Sequence, residues 1–151
     1  VLLGCLLGMW FWAPGRRVID RQVLRIPIIG GLLVSSAMAT FGRTLGMLLR
    51  SGVSLLDSMR ITRSILGNRA MAQHLDHVGE SVLGGRDLAG ALDDPMIPPA
   101  VTQVVAVGEQ TGSLSDVLEE LGEFYDQQMQ TMIRRMSAMI EPVMILLPLK
   151  P

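Results

Sequence analysis

Between residues 32 and 135 the apolar positions recur every three or four residues, the spacing of one buried stripe per helix, and no stretch alternates as a half-buried strand would. A helix is expected from about Leu32 to Arg50, with Phe41, Leu45, Leu48 and Leu49 on one side and Gly52 at its end. Before it, Ile26-Pro27-Ile28-Ile29-Gly30-Gly31 reads as a hinge, because proline disfavours helix in the residue it follows and the glycines loosen what comes next. Ser54 and Asp57 form a capping pair for a second helix through Leu55, Leu56, Met59, Ile61, Ile65 and Leu66, stopped at Gly67. Asn68 caps a third, carrying Met71, Leu75, Val78, Val82 and Leu83 and closed by Gly84-Gly85. Asp87 is expected to cap the short turn Leu88–Leu92, and Pro98-Pro99 to open a fifth helix.

The fifth helix runs into the most informative stretch, Val107-Gly108-Glu109-Gln110-Thr111-Gly112-Ser113-Leu114-Ser115-Asp116. Gly112 accepts the left-handed backbone that closes a helix, and Ser113 with Asp116 is placed to cap the next. Val101, Val104, Val105 and Val107 predict a buried strip on one side of this corner. Leu114, Leu118, Leu121, Phe124, Tyr125, Met132 and Met136 predict another, kept up for about seven turns. Short connections make successive helices antiparallel, so the expected class is all-α: an antiparallel six-helix bundle, flanked by partial transmembrane helices.

The two ends change character. Val1–Ala13 carries no charge and finishes Trp10-Phe11-Trp12; as a helix it is about 20 Å long against roughly 30 Å of hydrocarbon, the latter part of a membrane span with tryptophans at the interface. Arg16, Arg17, Arg21 and Arg25 follow, the pattern of a cytoplasmic flank and the reverse of a signal peptide. At the other end Arg134 and Arg135 precede Met139, Ile140, Glu141-Pro142 and Val143–Leu147, after which Pro148, Lys150 and Pro151 interrupt the apolar run. The expected organisation is therefore the end of a transmembrane helix over 1–13, a basic juxtamembrane linker over 14–31, a cytoplasmic bundle over 32–135, and the truncated start of a second membrane helix over 136–151. An opening valine suggests a piece of a longer protein.

Composition narrows the chemistry. At 151 residues there is room for one such domain, and a net charge of −1 points neither to nucleic acid nor to a strongly acidic partner. The lone Cys5 has no disulfide partner in the chain. His74 and His77 share a helix face with Asp76 between them, but no third metal ligand is identifiable, and a solvated face is the expectation. Gly42 and Gly46 allow close helix approach. Asp93-Asp94 and Glu119-Glu120 read as solvated faces. There is no phosphate loop, nucleophile elbow, zinc-protease motif or cysteine pair, so neither enzyme activity nor a cofactor or metal is expected.

With these elements in place, the chain resembles the cytoplasmic repeat of the inner-membrane platform protein of type II secretion and type IV pilus machines, the general secretion pathway protein F family. The landmarks run in order: Arg25-Ile26-Pro27-Ile28-Ile29-Gly30, Phe41-Gly42-Arg43-Thr44-Leu45, and Leu48-Leu49-Arg50-Ser51-Gly52-Val53-Ser54-Leu55-Leu56. Asn68, Gly85-Arg86-Asp87-Leu88 with Ala91-Leu92, and Ile97-Pro98 follow; then come Val107–Leu114 and Ile140-Glu141-Pro142. Ser54 stands where the family usually has proline and Ile97 where it usually has phenylalanine; after Leu147 the chain leaves the pattern. The resemblance implies a non-enzymatic multi-pass scaffold of the bacterial inner membrane, with its bundle in the cytoplasm and one of two repeats present. The partners it implies are a cytoplasmic assembly ATPase, other inner-membrane subunits, pilin-like proteins, the lipid bilayer and further copies of the chain. Gly108, Glu109, Thr111, Gly112, Leu114, Arg43, Gly52, Glu141 and Pro142 become its candidate structural or partner-binding residues. A membrane-anchored signalling or adaptor module is the alternative, although Gln127, Gln128 and Gln130 interrupt the heptad seam its stalk would need; a transporter fragment would require more spans.

Overall fold

The computed structural model describes residues 27–146. They form six helices and, among the described residues, no strand: α1 (Pro27–Arg50), α2 (Leu55–Ile65), α3 (Arg69–Leu83), α4 (Leu88–Ala91), α5 (Pro99–Thr111) and α6 (Leu114–Leu146). The all-α expectation holds. Residues from Val34 onward form one compact unit; of the unit before it, Val1–Leu33, the structure describes only the opening turns of α1. The expected membrane segment Val1–Ala13, the arginines Arg16, Arg17, Arg21 and Arg25, and the tail from Leu147 lie outside the described residues.

Local chemistry sets the boundaries. The Ser54 hydroxyl accepts the Asp57 amide at 3.2 Å, and Asn68 Oδ1 accepts those of Ala70 and Met71 at 2.9 and 3.4 Å, so both capping expectations are met. α1 closes through Gly52, whose φ of 85° lets the Val53 amide reach back to the Leu48 carbonyl at 3.1 Å. One boundary differs. α1 begins at Pro27 rather than Leu32, so Pro27–Gly31 is helix and not a hinge; a proline in a first turn forfeits no hydrogen bond the helix would otherwise make.

The core joins Met38, Phe41 and Leu45 of α1 to Met59 of α2 and to Met71, Leu75 and Val78 of α3. Leu88, Leu92, Val101 and Val105 line the other side, with Leu118, Leu121 and Tyr125 of α6 completing it. Three expected stripes are rotated. On α2, Ile61 and Ile65 are exposed while Ser58 and Thr62 flank Met59 inside; Thr62 Oγ1 donates to the Ser58 carbonyl at 2.7 Å, which removes the cost of burying its hydroxyl. On α5 the inner face is Val101, Val105 and Gly108, leaving Val104 and Val107 outside. On α6, Phe124 is 57% exposed and stands edge-on to the buried Tyr125, centroids 5.3 Å apart. Leu83 too is exposed, where α3 stops.

α1 and α6 cross in backbone contact. A Cβ on Gly42 would sit 2.5 Å from the Leu118 carbonyl oxygen, one on Gly122 would sit 2.5 Å from the Arg43 nitrogen, and one on Gly46 would sit 2.8 Å from the Ser115 carbonyl oxygen. Rising numbers on α1 meet falling numbers on α6, so the two are antiparallel; on α2 and α3, Met59 lies by Gly79 and Arg63 meets Asp76 at 2.6 Å, which marks another such pair. Ile29–Arg50 is long and apolar enough to cross a membrane by length and composition, with a mean hydropathy of 1.4. From Val34 on it is instead packed into the bundle by Met38, Phe41 and Leu45.

Candidate functional site

The stretch singled out in the sequence is the corner between α5 and α6. Gly112 has φ 71°, and its amide and that of Ser113 both return to the Gly108 carbonyl, the Ser113 bond at 3.0 Å. Gly108 is buried: a Cβ there would meet the Leu114 Cα and Val117 Cβ, each at 3.2 Å, so glycine lets the start of α6 close down on α5. Thr111 Oγ1 donates to the Val107 carbonyl at 2.7 Å and lies 2.7 Å from the Ser113 hydroxyl.

That pairing overturns one expectation. Ser113 does not form a capping pair with Asp116: its hydroxyl meets Thr111, and the Asp116 carboxylate turns to Arg50 at 2.6 Å. Arg50 also reaches Glu119 at 3.0 Å, and Arg43 reaches Asp126 at 3.2 Å, so two α1 arginines line up on α6 acids beside the glycine crossing.

Glu109 acts across the fold rather than at the corner itself. Its Oε1 accepts the Leu88 amide at 2.7 Å and its Oε2 the Ala89 amide at 2.9 Å. A carboxylate from α5 thus caps α4 across the fold, where exposed amides and the positive end of the helix dipole favour an anion. Asp87, the expected cap, makes no side-chain capping bond; its Oδ1 lies 2.7 Å from where a Gly90 Cβ would be. A local cap was legible from Asp87, whereas a cap supplied from 20 residues away leaves no short-range pattern.

The remaining candidates separate. Gly52 closes α1 and Leu114 opens α6, both at the same end of the bundle as Gly112, since Arg50 meets Asp116 there. Glu141 and Pro142 are exposed on the last turns of α6, and no ion pair joins Glu141 to Arg135 among the described residues. Arg134 and Arg135 are likewise exposed. His74 and His77 do not converge: His74 faces Asp94 at 3.9 Å and His77 faces Glu80 at 3.8 Å. Sequence reading missed Gly122, although a glycine inside the apolar stripe of α6, facing a helix with Gly42 and Gly46, is the available signal.

The class this defines is an all-α bundle whose buried polar chemistry goes into capping and whose long helices are held backbone to backbone. The chain belongs to the type II secretion system protein F family, whose model matches residues 41–147. It is 36% identical over 141 residues to a type IV pilus assembly protein PilC of Thermus thermophilus, covering 91% of this chain and 35% of that protein. To a PilC of Myxococcus xanthus it is 36% identical over 132 residues, 87% of this chain and 32% of the relative. To a type II secretion system protein F of Aeromonas hydrophila it is 32% identical over 142 residues, 91% and 37% respectively. The chain thus spans about a third of the length of these relatives.

Proposed function

We propose that the chain is part of a non-enzymatic inner-membrane platform of a type II secretion or type IV pilus assembly machine. The bundle faces the cytoplasm and is tied to the bilayer through residues 1–13 and 136–151, with the basic stretch that precedes α1 as the linker. There it couples a cytoplasmic assembly ATPase to the addition of pilin-like subunits, beside other membrane subunits and further copies of itself. The relatives' names support the machine. The observation that carries the membrane attachment is the end of α6, where Arg134 and Arg135 lead into exposed Met139, Ile140 and Ile145, the first of them 70% exposed. An apolar helical surface just beyond a pair of cations suits a headgroup-to-hydrocarbon boundary.

In this reading Glu109, Gly108, Thr111 and Gly112 hold the shape of the bundle end furthest from the membrane, the end nearest a soluble partner. Arg134 and Arg135 lie at the lipid surface, and Glu141-Pro142 at its edge. The test is co-purification of the membrane-extracted chain with the ATPase encoded beside it, together with secretion or piliation in a strain carrying Glu109→Ala at normal protein level. Recovery of the ATPase from wild type, and loss of output in the variant, is expected. A chain recovered wholly in the soluble fraction, or full output from the variant, would overturn the respective part.

A further inference from the structure

Among the described residues, three of the open grooves on the bundle differ in charge. One, along α1 and α6, sets Arg43 and Arg50 against Asp116, Glu119, Glu120, Glu123 and Asp126, and so is strongly negative. A second, between α2 and α3, balances Arg60 and Arg63 with Asp76 and Glu80. The third, about 340 Å³ on one face of α6, is lined by Phe124, Gln127, Gln128, Thr131, Met132 and Arg135. It has a cation and no carboxylate, although the preceding turns of the same helix are rich in acids. Gln128 uses its side-chain oxygen to accept from the Ser35 hydroxyl at 3.4 Å, and Thr131 gives its hydroxyl proton to the Gln127 carbonyl at 2.9 Å. Among the described residues the amide N–H groups of Gln127 and Gln128 and the Arg135 guanidinium therefore remain as donors. Neither Arg134 nor Arg135 has an acidic partner among the described residues.

We propose that this groove seats the headgroup of an anionic phospholipid such as phosphatidylglycerol. This rests on the membrane attachment of α6 argued above, because Arg135 lies one helical turn before Met139, at the level where a phosphate would stand. The guanidinium takes the phosphate, a geometry it suits better than a point charge does. The two glutamines take the hydroxyls of the headgroup alcohol, and Met132 and Phe124 form the apolar wall. A choline headgroup fits poorly, since its ammonium finds no carboxylate in the lining.

The test is vesicle flotation of the full chain with phosphatidylcholine alone and with phosphatidylcholine containing phosphatidylglycerol. Binding to both is expected, with a preference for the anionic vesicles that Arg135→Gln reduces about five-fold, the worth of one cation at an anionic surface. Gln127→Trp fills the groove without altering charge and is expected to reduce the preference similarly, with helical content by circular dichroism unchanged. A Gln127→Trp chain that keeps the full preference would overturn the groove, leaving only diffuse attraction. Equal binding of wild type to both vesicles would overturn the groove but not the membrane attachment; binding to neither would overturn both. Release from vesicles by millimolar glycerol phosphate would reassign the groove to a soluble phosphate ester and overturn the lipid assignment.

Discussion

The carboxylate of Glu109 ends 2.7 Å from the amide of Leu88, 21 residues earlier in the chain, and its second oxygen takes the amide of Ala89. One side chain thereby caps α4 and ties it to α5. A four-residue helix cannot sustain itself, since its first turn costs more order than its hydrogen bonds return. Its persistence depends on Leu88 and Leu92 in the core and on this external acceptor.

Glu109→Gln is therefore expected to lower the unfolding free energy by about 2 kcal/mol, the range for hydrogen bonds to a charged acceptor. The amide loses the charge and presents a donor to one of two donors. Urea unfolding followed by circular dichroism measures it. Asp87→Ala, which removes no capping bond, is expected to change stability by less than about 0.5 kcal/mol.

Gly112→Val is expected to cost about 1–2 kcal/mol through backbone conformation alone, because a Cβ at this position meets nothing within 4 Å. Gly112→Asn tolerates the left-handed region and is expected to cost distinctly less. Thermal melting of the two variants side by side separates backbone strain from packing: equal losses would mean that the positive φ is not the constraint.

The glycines of the α1–α6 crossing are expected to behave oppositely to Gly79. Gly42→Ala and Gly122→Ala force a Cβ against backbone and are expected to destabilise by about 3 kcal/mol. Gly79 lies in α3 with only the end of Met59, at 4.0 Å, near a prospective Cβ. Gly79→Ala is expected to stabilise by roughly 0.5–1 kcal/mol, since alanine has less freedom to lose on entering a helix. Denaturant midpoints for the three variants check the contrast.

Arg50 is a more modest case. Its partners Asp116 and Glu119 are solvent-accessible, so Arg50→Ala is expected to cost less than about 1 kcal/mol, and less still in high salt. An unfolding titration at two salt concentrations measures it.

Burial of Tyr125 raises its pKa above the ordinary value of 10.0 by desolvating the phenolate. The folded chain then holds this proton more tightly than the unfolded one, so its contribution to stability is complete below pH 10 and is lost as pH rises beyond. Tyr125→Phe is expected to shift the alkaline unfolding midpoint upward, read by circular dichroism between pH 9 and 12.

Helix existence and order were legible because caps and glycine stops are short-range: Ser54 with Asp57, Asn68, Gly52 and Gly112 each act within five residues of themselves. Which face of a helix is buried was less legible where a small polar residue replaces an apolar one. Thr62 bonding to Ser58 hides the true inner face of α2, and Gly108 does so on α5. The corner itself was readable from Gly112, but the destination of the Glu109 carboxylate was not. That contact is defined by the packing of α5 on α4, which no local pattern encodes. Pro27 was misjudged because proline at a helix start and proline in a hinge look alike until the following residues are seen to continue the helix.

At Gly42 and Gly122 the two long helices meet main chain to main chain, with no side chain between them. Around that contact Phe41 and Leu45 of α1 and Leu118 and Leu121 of α6 are buried in the same core, so packed side chains fix the register that the glycines bring close. A displacement of α6 is therefore expected to carry α1 with it, the two helices shifting as one body.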